Sequence, residues 1–150
     1  MDEIDRKILR ITQEFPDLTI AELGESVGIS QTPCWRRLKK LETDGVIIGK
    51  AVLLDQKSIG LNVDVFAHIR LKQHDEETLE AFERETHNHP SIIECFSMSG
   101  ESDYMMRVVV SSIEEYEACL KKELLHLPGV ASINSSFALQ RVKMTTRLPV

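Results

Sequence analysis

The sequence has no apolar run near the roughly 20 residues needed to cross a bilayer, so a membrane-spanning helix is excluded. It has only three cysteines, Cys34, Cys95 and Cys119, an odd number with no Cys-x-x-Cys pair. That usage suits reduced thiols in a cytoplasm and argues against a disulfide framework or a structural zinc site. The opening Met1-Asp2-Glu3-Ile4-Asp5 is acidic where a secretory signal is basic and then apolar. A Gly-rich phosphate loop, a Gly-x-Ser-x-Gly elbow and a nucleophile with an assignable base are all missing, so no enzyme activity, catalytic residue or cofactor is expected. His87-Asn88-His89 has no Cys, Asp or further His at ligand spacing and reads as a helix-end loop, so no metal is expected either. Glu76, Glu77, Glu80 and Glu83 read as a solvated helix face rather than paired catalytic carboxylates.

What is present is the balance of a folded chain, 42% hydrophobic and 28% charged. The net charge of -6 taken as a sum disfavours a nucleic-acid partner, yet its distribution is uneven. Arg36, Arg37, Lys39 and Lys40 face only Glu42 between Ser30 and Glu42, while the acidic excess lies beyond residue 60. A basic element on an acidic body is compatible with groove binding when the acidic part faces away.

The first 45 residues read as three helices. Asp2 is a candidate cap, followed by Ile4, Ile8, Ile11 and Phe15 at helical spacing. Thr19-Ile20-Ala21-Glu22 is a capping box opening a short helix with Ala21, Leu23 and Val27 on its apolar side. Gly28 then sits where a left-handed cap is wanted, and Ser30 caps a third helix with Pro33 in its first turn. A short helix, a glycine turn and a basic helix make a helix-turn-helix. Val46-Ile47-Ile48 and Ala51 to Asp55 flank Gly49-Lys50, which predicts a two-residue hairpin, or wing.

Beyond a linker at Gln56 to Asn62 the periodicity changes. Val63, Val65, Ala67, Ile69 and Leu71 alternate with Asp64, Phe66, His68, Arg70 and Lys72 as a half-buried strand. Asp75 caps a helix with Leu79, Phe82 and Thr86 on one face. Ile92 to Met98 and Met105 to Val110 are strands, Ser112-Ile113-Glu114-Glu115 is a second capping box, and Val130 to Val142 is the last strand. The order βαββαβ predicts a ferredoxin-like sandwich and, overall, an α+β protein: a winged helix-turn-helix at 1–50, hairpin strand and linker at 51–62, and an αβ-sandwich at 63–150. One sheet face is left without helices, and Phe66, Phe96 and Phe137 are expected to form an apolar patch there through which two copies pair.

On a helical wheel Cys34, Leu38 and Leu41 share the packing side of the third helix. Thr32, Arg36, Lys39 and Thr43 lie opposite, with Lys40 at the edge and Trp35 and Arg37 on the flanks. This short basic face suits the major groove of double-stranded DNA: Arg36 could bond guanine, Thr32 meet a thymine methyl and Gln31 read adenine. Ser30, Arg37, Lys39, Lys40 and the wing Lys50 are placed for phosphates. Charge alone would equally suit a solvated basic face; the glycine-linked helix pair favours DNA. Trp35 fits a partly buried structural aromatic as well as a contact residue.

Ile29 to Glu42, followed by Asp44-Gly45-Val46-Ile47-Ile48-Gly49, resembles the recognition helix and wing of the Lrp/AsnC family of transcriptional regulators. Ile4-Asp5-Arg6-Lys7-Ile8-Leu9 is similar to that family's first helix, and Gly100-Glu101-Ser102-Asp103-Tyr104 with Pro128-Gly129-Val130 resembles its regulatory (RAM-type) domain. The resemblance implies a cytoplasmic, nucleoid-associated regulator, dimeric and assembling to tetramers of dimers or octamers, that responds to an amino-acid effector. Carried over by position, the effector residues are Gly100, Ser102, Asp103 and Tyr104 of the hairpin loop and Ser135 and Ser136 of the last strand. Turn amides can hold a carboxylate and Asp103 an ammonium, although Gly100 and Asp103 also suit a plain hairpin turn. Ser135-Ser136-Phe137-Ala138 with Thr145-Thr146-Arg147-Leu148-Pro149 resembles a subgroup that includes cysteine-responsive members, which points to cysteine, leucine or a similar amino acid. An effector-free, nucleoid-organising DNA-binding protein is the alternative, and an enzyme on the ferredoxin-like domain is the remote one.

Overall fold

A computed structural model describes all 150 residues. The elements are α1 (Glu3–Glu14), α2 (Ile20–Val27), α3 (Gln31–Thr43), β1 (Val63–Leu71), α4 (Glu76–Asn88), β2 (Ile92–Ser97), β3 (Tyr104–Val110), α5 (Ile113–Lys122) and β4 (Val130–Phe137), with a 3-10 turn at Leu124–His126. The chain divides into two compact units: Met1–Leu53 with Val142–Val150, and Leu54–Arg141.

In the first unit, local chemistry starts each helix. The Asp2 carboxylate accepts the Asp5 amide and the Asp5 side chain accepts the Asp2 amide, a reciprocal cap. Thr19 and Glu22 repeat the arrangement on α2, which Gly28 ends at φ 88°. Ser30 stands at the cap of α3 but its hydroxyl makes no cap bond. Ile8, Leu9, Leu23, Val27, Cys34 and Leu41 close a small core, with Leu38 packed at its border. Phe15, predicted to continue the apolar stripe of α1, is its exposed C-cap instead, because the helix stops there. Gly24 lies where α2 meets the turn: a Cβ on it would stand 2.8 Å from the Ile29 carbonyl oxygen.

The predicted hairpin at Val46 to Asp55 does not form; that stretch contains no strand. Ile47 packs on the helical core, but Ile48, Val52, Leu53 and Leu54 are exposed. An isolated two-stranded ribbon is marginal in water, and no third strand of this chain lies alongside to support it. The tail packs with the helices: residues 142–150 group with the first compact unit. The Gln13 side chain exchanges hydrogen bonds with the Leu148 backbone, and Arg10 Nε donates to the Val150 carbonyl oxygen at 2.7 Å.

The second unit is the expected sandwich, an antiparallel sheet in the order β2-β3-β1-β4 with α4 and α5 on one face. The strand alternation puts Val65, Ala67 and Ile69 against Phe82, Met106, Val108, Tyr116 and Leu124, all within the buried core. Asp64, Phe66, His68 and Arg70 take the opposite face. Asp75 and Ser112 cap α4 and α5 as expected; Glu115, however, turns to Ser111 rather than closing a box on Ser112. The last strand ends at Phe137, short of Val142.

Registers correct one face assignment. Phe66 pairs with Arg107 and Phe96 with Met105, on the face without helices. Phe137 instead pairs with Val65 and so shares the helix-covered face, where its ring meets Tyr116 edge-on at 5.5 Å. The open-face patch therefore rests on Phe66, Met105 and Phe96, beside a polar network in which Arg107 Nε lies 2.7 Å from Asp64 and the Gln56 amide bonds Asp64, Arg107 and Arg141. Burial pushes the Asp64 carboxyl up, but the Arg107 and Gln56 contacts more than reverse this and hold it below its ordinary value.

Candidate nucleic-acid interface and effector loop

Cys34 and Leu41 are anchored in the core, and this turns the other side of α3 outward. Ser30, Gln31, Thr32, Trp35, Arg36, Lys39 and Lys40 are all exposed, Trp35 to 51%. The four bases differ in what holds them. Arg37 is gripped at 2.7 Å by Asp2 and 2.8 Å by Asp5, contacts that tie α3 to the start of α1. Those carboxylates, Asp5 foremost, hold the guanidinium charged. Lys39 pairs with Glu42 at 2.6 Å and Lys40 with Asp44. Arg36 alone of the four carries no ion pair or hydrogen bond. Lys50 folds back to donate to the Pro16 carbonyl oxygen at 2.9 Å. Of the predicted phosphate contacts, Arg37, Lys39, Lys40 and Lys50 are thus all engaged within the chain.

The six predicted effector residues are not gathered at one point. Gly100, at φ 119°, is in the β2–β3 turn. Ser102 faces His68 Nδ1 at 3.4 Å. Both Asp103 carboxylate oxygens already accept, one from the Leu71 amide and one from His74 Nε2, each at 2.7 Å. The Leu71 amide first and His74 second hold this carboxyl below the ordinary aspartate value. Tyr104 points under the helices, where its hydroxyl donates to Glu83 at 2.6 Å and its ring lies 4.6 Å from that of Phe82. Ser135 also faces the helices, bonded to the Tyr116 hydroxyl, whereas Ser136 pairs across from Phe66 on the open face. Strand β1 separates β4 from the strand that follows the turn. Tyr104 and Ser135 thus lie on the helix side, Ser102 (through His68) and Ser136 lie towards the open face, and Asp103 is engaged within the turn.

Two features escaped the sequence reading. An open cavity of about 470 Å³ lies between α4 and β2, lined by Glu83, Thr86, Cys95 and Tyr104 among others. His89, Cys119 and Glu123 also meet at the ends of α4 and α5, their donor atoms all within 4.8 Å of one another. The separation of 30 positions between His89 and Cys119 hides this grouping; only the helical spacing of Cys119 and Glu123 is legible.

A helix-turn-helix with an exposed basic recognition face, on the same chain as a ferredoxin-like sandwich, defines a DNA-binding transcriptional regulator. Residues 1–48 match the winged helix-turn-helix DNA-binding family, and residues 64–148 match the Lrp/AsnC ligand binding domain. The chain belongs to the Lrp/AsnC family. It is 39% identical to the DNA-binding transcriptional activator DecR of Escherichia coli K12 over 100% of this chain and 99% of that one. An AsnC family transcriptional regulator from Agrobacterium tumefaciens superimposes with a TM-score of 0.94 at 43% identity, over 99% of this chain and 97% of its own. A Neisseria meningitidis transcriptional regulator solved as an L-Met complex also gives 0.94, at 34% identity over 99% and 96% of the two chains.

No helix is long and apolar enough to cross a membrane.

Proposed function

We propose that the chain reads DNA through the Thr32–Trp35–Arg36 side of α3, working as a homodimer whose geometry responds to a small amino acid. The observation that carries this reading is Arg36, the unpaired base on an exposed α3 face whose other bases are held by acids. A free guanidinium can bond guanine O6 and N7 bidentately. Pairing of two copies is supported by Phe66 and Phe96 on the open sheet face and by the exposed Ile48, Val52, Leu53 and Leu54, which have no strand to join within the chain. The L-Met complex of the Neisseria relative supports an amino-acid effector. Its carboxylate would meet the turn at Gly100 and Ser102 at an interface between copies, with Ser136 on the open sheet face. The reading assigns the chain no catalytic step and a cytoplasmic place.

Band-shift titration of Arg36→Ala against the protein's own upstream region, at one fixed salt concentration, tests it. One lost bidentate contact is worth about 1–3 kcal/mol, so affinity should fall roughly 5- to 150-fold for each helix engaged. Unchanged affinity would remove α3 from the interface. Equal binding of unrelated DNA by the unmutated protein would favour a nucleoid-organising role instead.

A further inference from the structure

His89 is the C-cap of α4, while Cys119 and Glu123 lie one helical turn apart at the end of α5. His89 Nε2 stands 2.7 Å from Glu123 Oε2 and 3.9 Å from Cys119 Sγ. His89 and Cys119 are largely buried, Glu123 is 55% exposed, and His89, Glu123 and His126 line a cavity of about 350 Å³. We propose that His89, Cys119 and Glu123 form a zinc site that clamps the end of α4 to the end of α5.

Donor chemistry and spacing both support zinc. A thiolate, an imidazole and a carboxylate are the ligand types zinc takes together, and two anions with a neutral ring balance a dication. Tetrahedral zinc, with bonds of about 2.3 Å to sulfur and about 2.1 Å to nitrogen and oxygen, sets S···N near about 3.6 Å and N···O near about 3.4 Å. The observed 3.9 Å sulfur–nitrogen distance is close to this, and the 2.7 Å contact opens once a metal replaces the hydrogen bond. The Ser91 amide now donates to His89 Nδ1 at 3.3 Å, so the ring proton sits on Nε2 and points to Glu123. On metal binding that proton moves to Nδ1, the long Ser91 contact is given up, and the thiol proton leaves to solvent. Three protein donors leave one coordination position for water or for His126, which shares the cavity wall.

The full chain, stripped with a chelator, should be titrated with Co2+ and Zn2+ while absorbance and thermal unfolding are followed. The expected result is one ion per chain, a thiolate-to-cobalt charge-transfer band, and a raised Tm with zinc. Cys95→Ser, which alters the exposed cysteine, should leave the band intact, and Cys119→Ser should abolish it. Glu123→Gln, at an exposed position, should weaken zinc at least tenfold. A missing band, a band that survives Cys119→Ser or vanishes in Cys95→Ser, or unchanged zinc affinity in Glu123→Gln would each overturn the site. Should Cys119→Ser fail to fold, the Glu123→Gln titration decides alone.

Discussion

Replacing Gly24 by alanine tests how tightly the helix-turn-helix is built. The new Cβ would stand 2.8 Å from the Ile29 carbonyl oxygen and 3.5 Å from Cys34 Cβ. Neither neighbour is free to retreat: Cys34 is fully buried, and the Gly24 carbonyl oxygen accepts from the Gly28 and Ile29 amides at 2.8 and 2.9 Å. Helix propensity favours alanine over glycine by about 1 kcal/mol. Overpacking costs about 1–3 kcal/mol, and a methyl held 2.8 Å from fixed backbone belongs in the upper part of that range, about 2–3 kcal/mol, so the clash wins and a net loss of about 1–2 kcal/mol is expected. At about 4–8 °C per kcal/mol for a unit of this size, Tm should fall by roughly 4–16 °C. The chain's single tryptophan, Trp35, sits on α3, so its fluorescence follows this unit's unfolding. Gly49→Ala is the control, with open space around its Cβ and no left-handed φ, and should stay within about 0.5 kcal/mol of the unmutated chain. If Gly24→Ala is no less stable than that control, close backbone approach does not hold the turn. Band shifts on the folded variant should also weaken, because α3 must move to make room.

Removing residues 142–150 should lower the same fluorescence transition by about 1 kcal/mol, the net worth of the partly exposed Gln13–Leu148 and Arg10–Val150 hydrogen bonds. A tail that belonged to the sandwich would leave that transition in place. Asp103→Asn addresses the β2–β3 turn. The native carboxyl titrates below its ordinary value, so its stabilisation is complete above the unfolded aspartate pKa and is lost as pH falls through the lower folded one. Calorimetry should therefore show the gap between Asp103→Asn and the unmutated chain closing below about pH 4, and a gap independent of pH would remove Asp103 from this role.

What could be read from the sequence was the chemistry confined to neighbouring residues. The Asp2–Asp5 and Thr19–Glu22 caps act over three positions, and β1 announces its two faces by alternation. Partners far along the chain were not legible. The β-rich character of Val46 to Leu54 says the backbone can pair, not that this chain supplies the strand to pair with. Arg37 looked like a phosphate contact because the acids that occupy it lie 32 and 35 positions away. Phe137 falls on the other face from the one expected although a local signal existed: in the stretch that pairs regularly with β1, Ile133 and Phe137 share one parity, and Ile133 packs on the core.

The ion pairs of α3 bear on how an acidic protein engages DNA at all. Non-specific affinity grows with each phosphate neutralised, through release of condensed counterions. With Arg37, Lys39 and Lys40 each matched by an acid of the same chain, α3 offers little net charge for that term. On the proposed reading a single helix would then hold poorly to arbitrary sequence, and useful binding would come from base contacts made by two helices together. That requirement links the two units without any contact between them being needed. The sandwich, through its open face, would supply the pairing that makes one Arg36 per chain sufficient, and a ligand that altered the pairing would alter DNA binding by changing how both helices meet their half-sites.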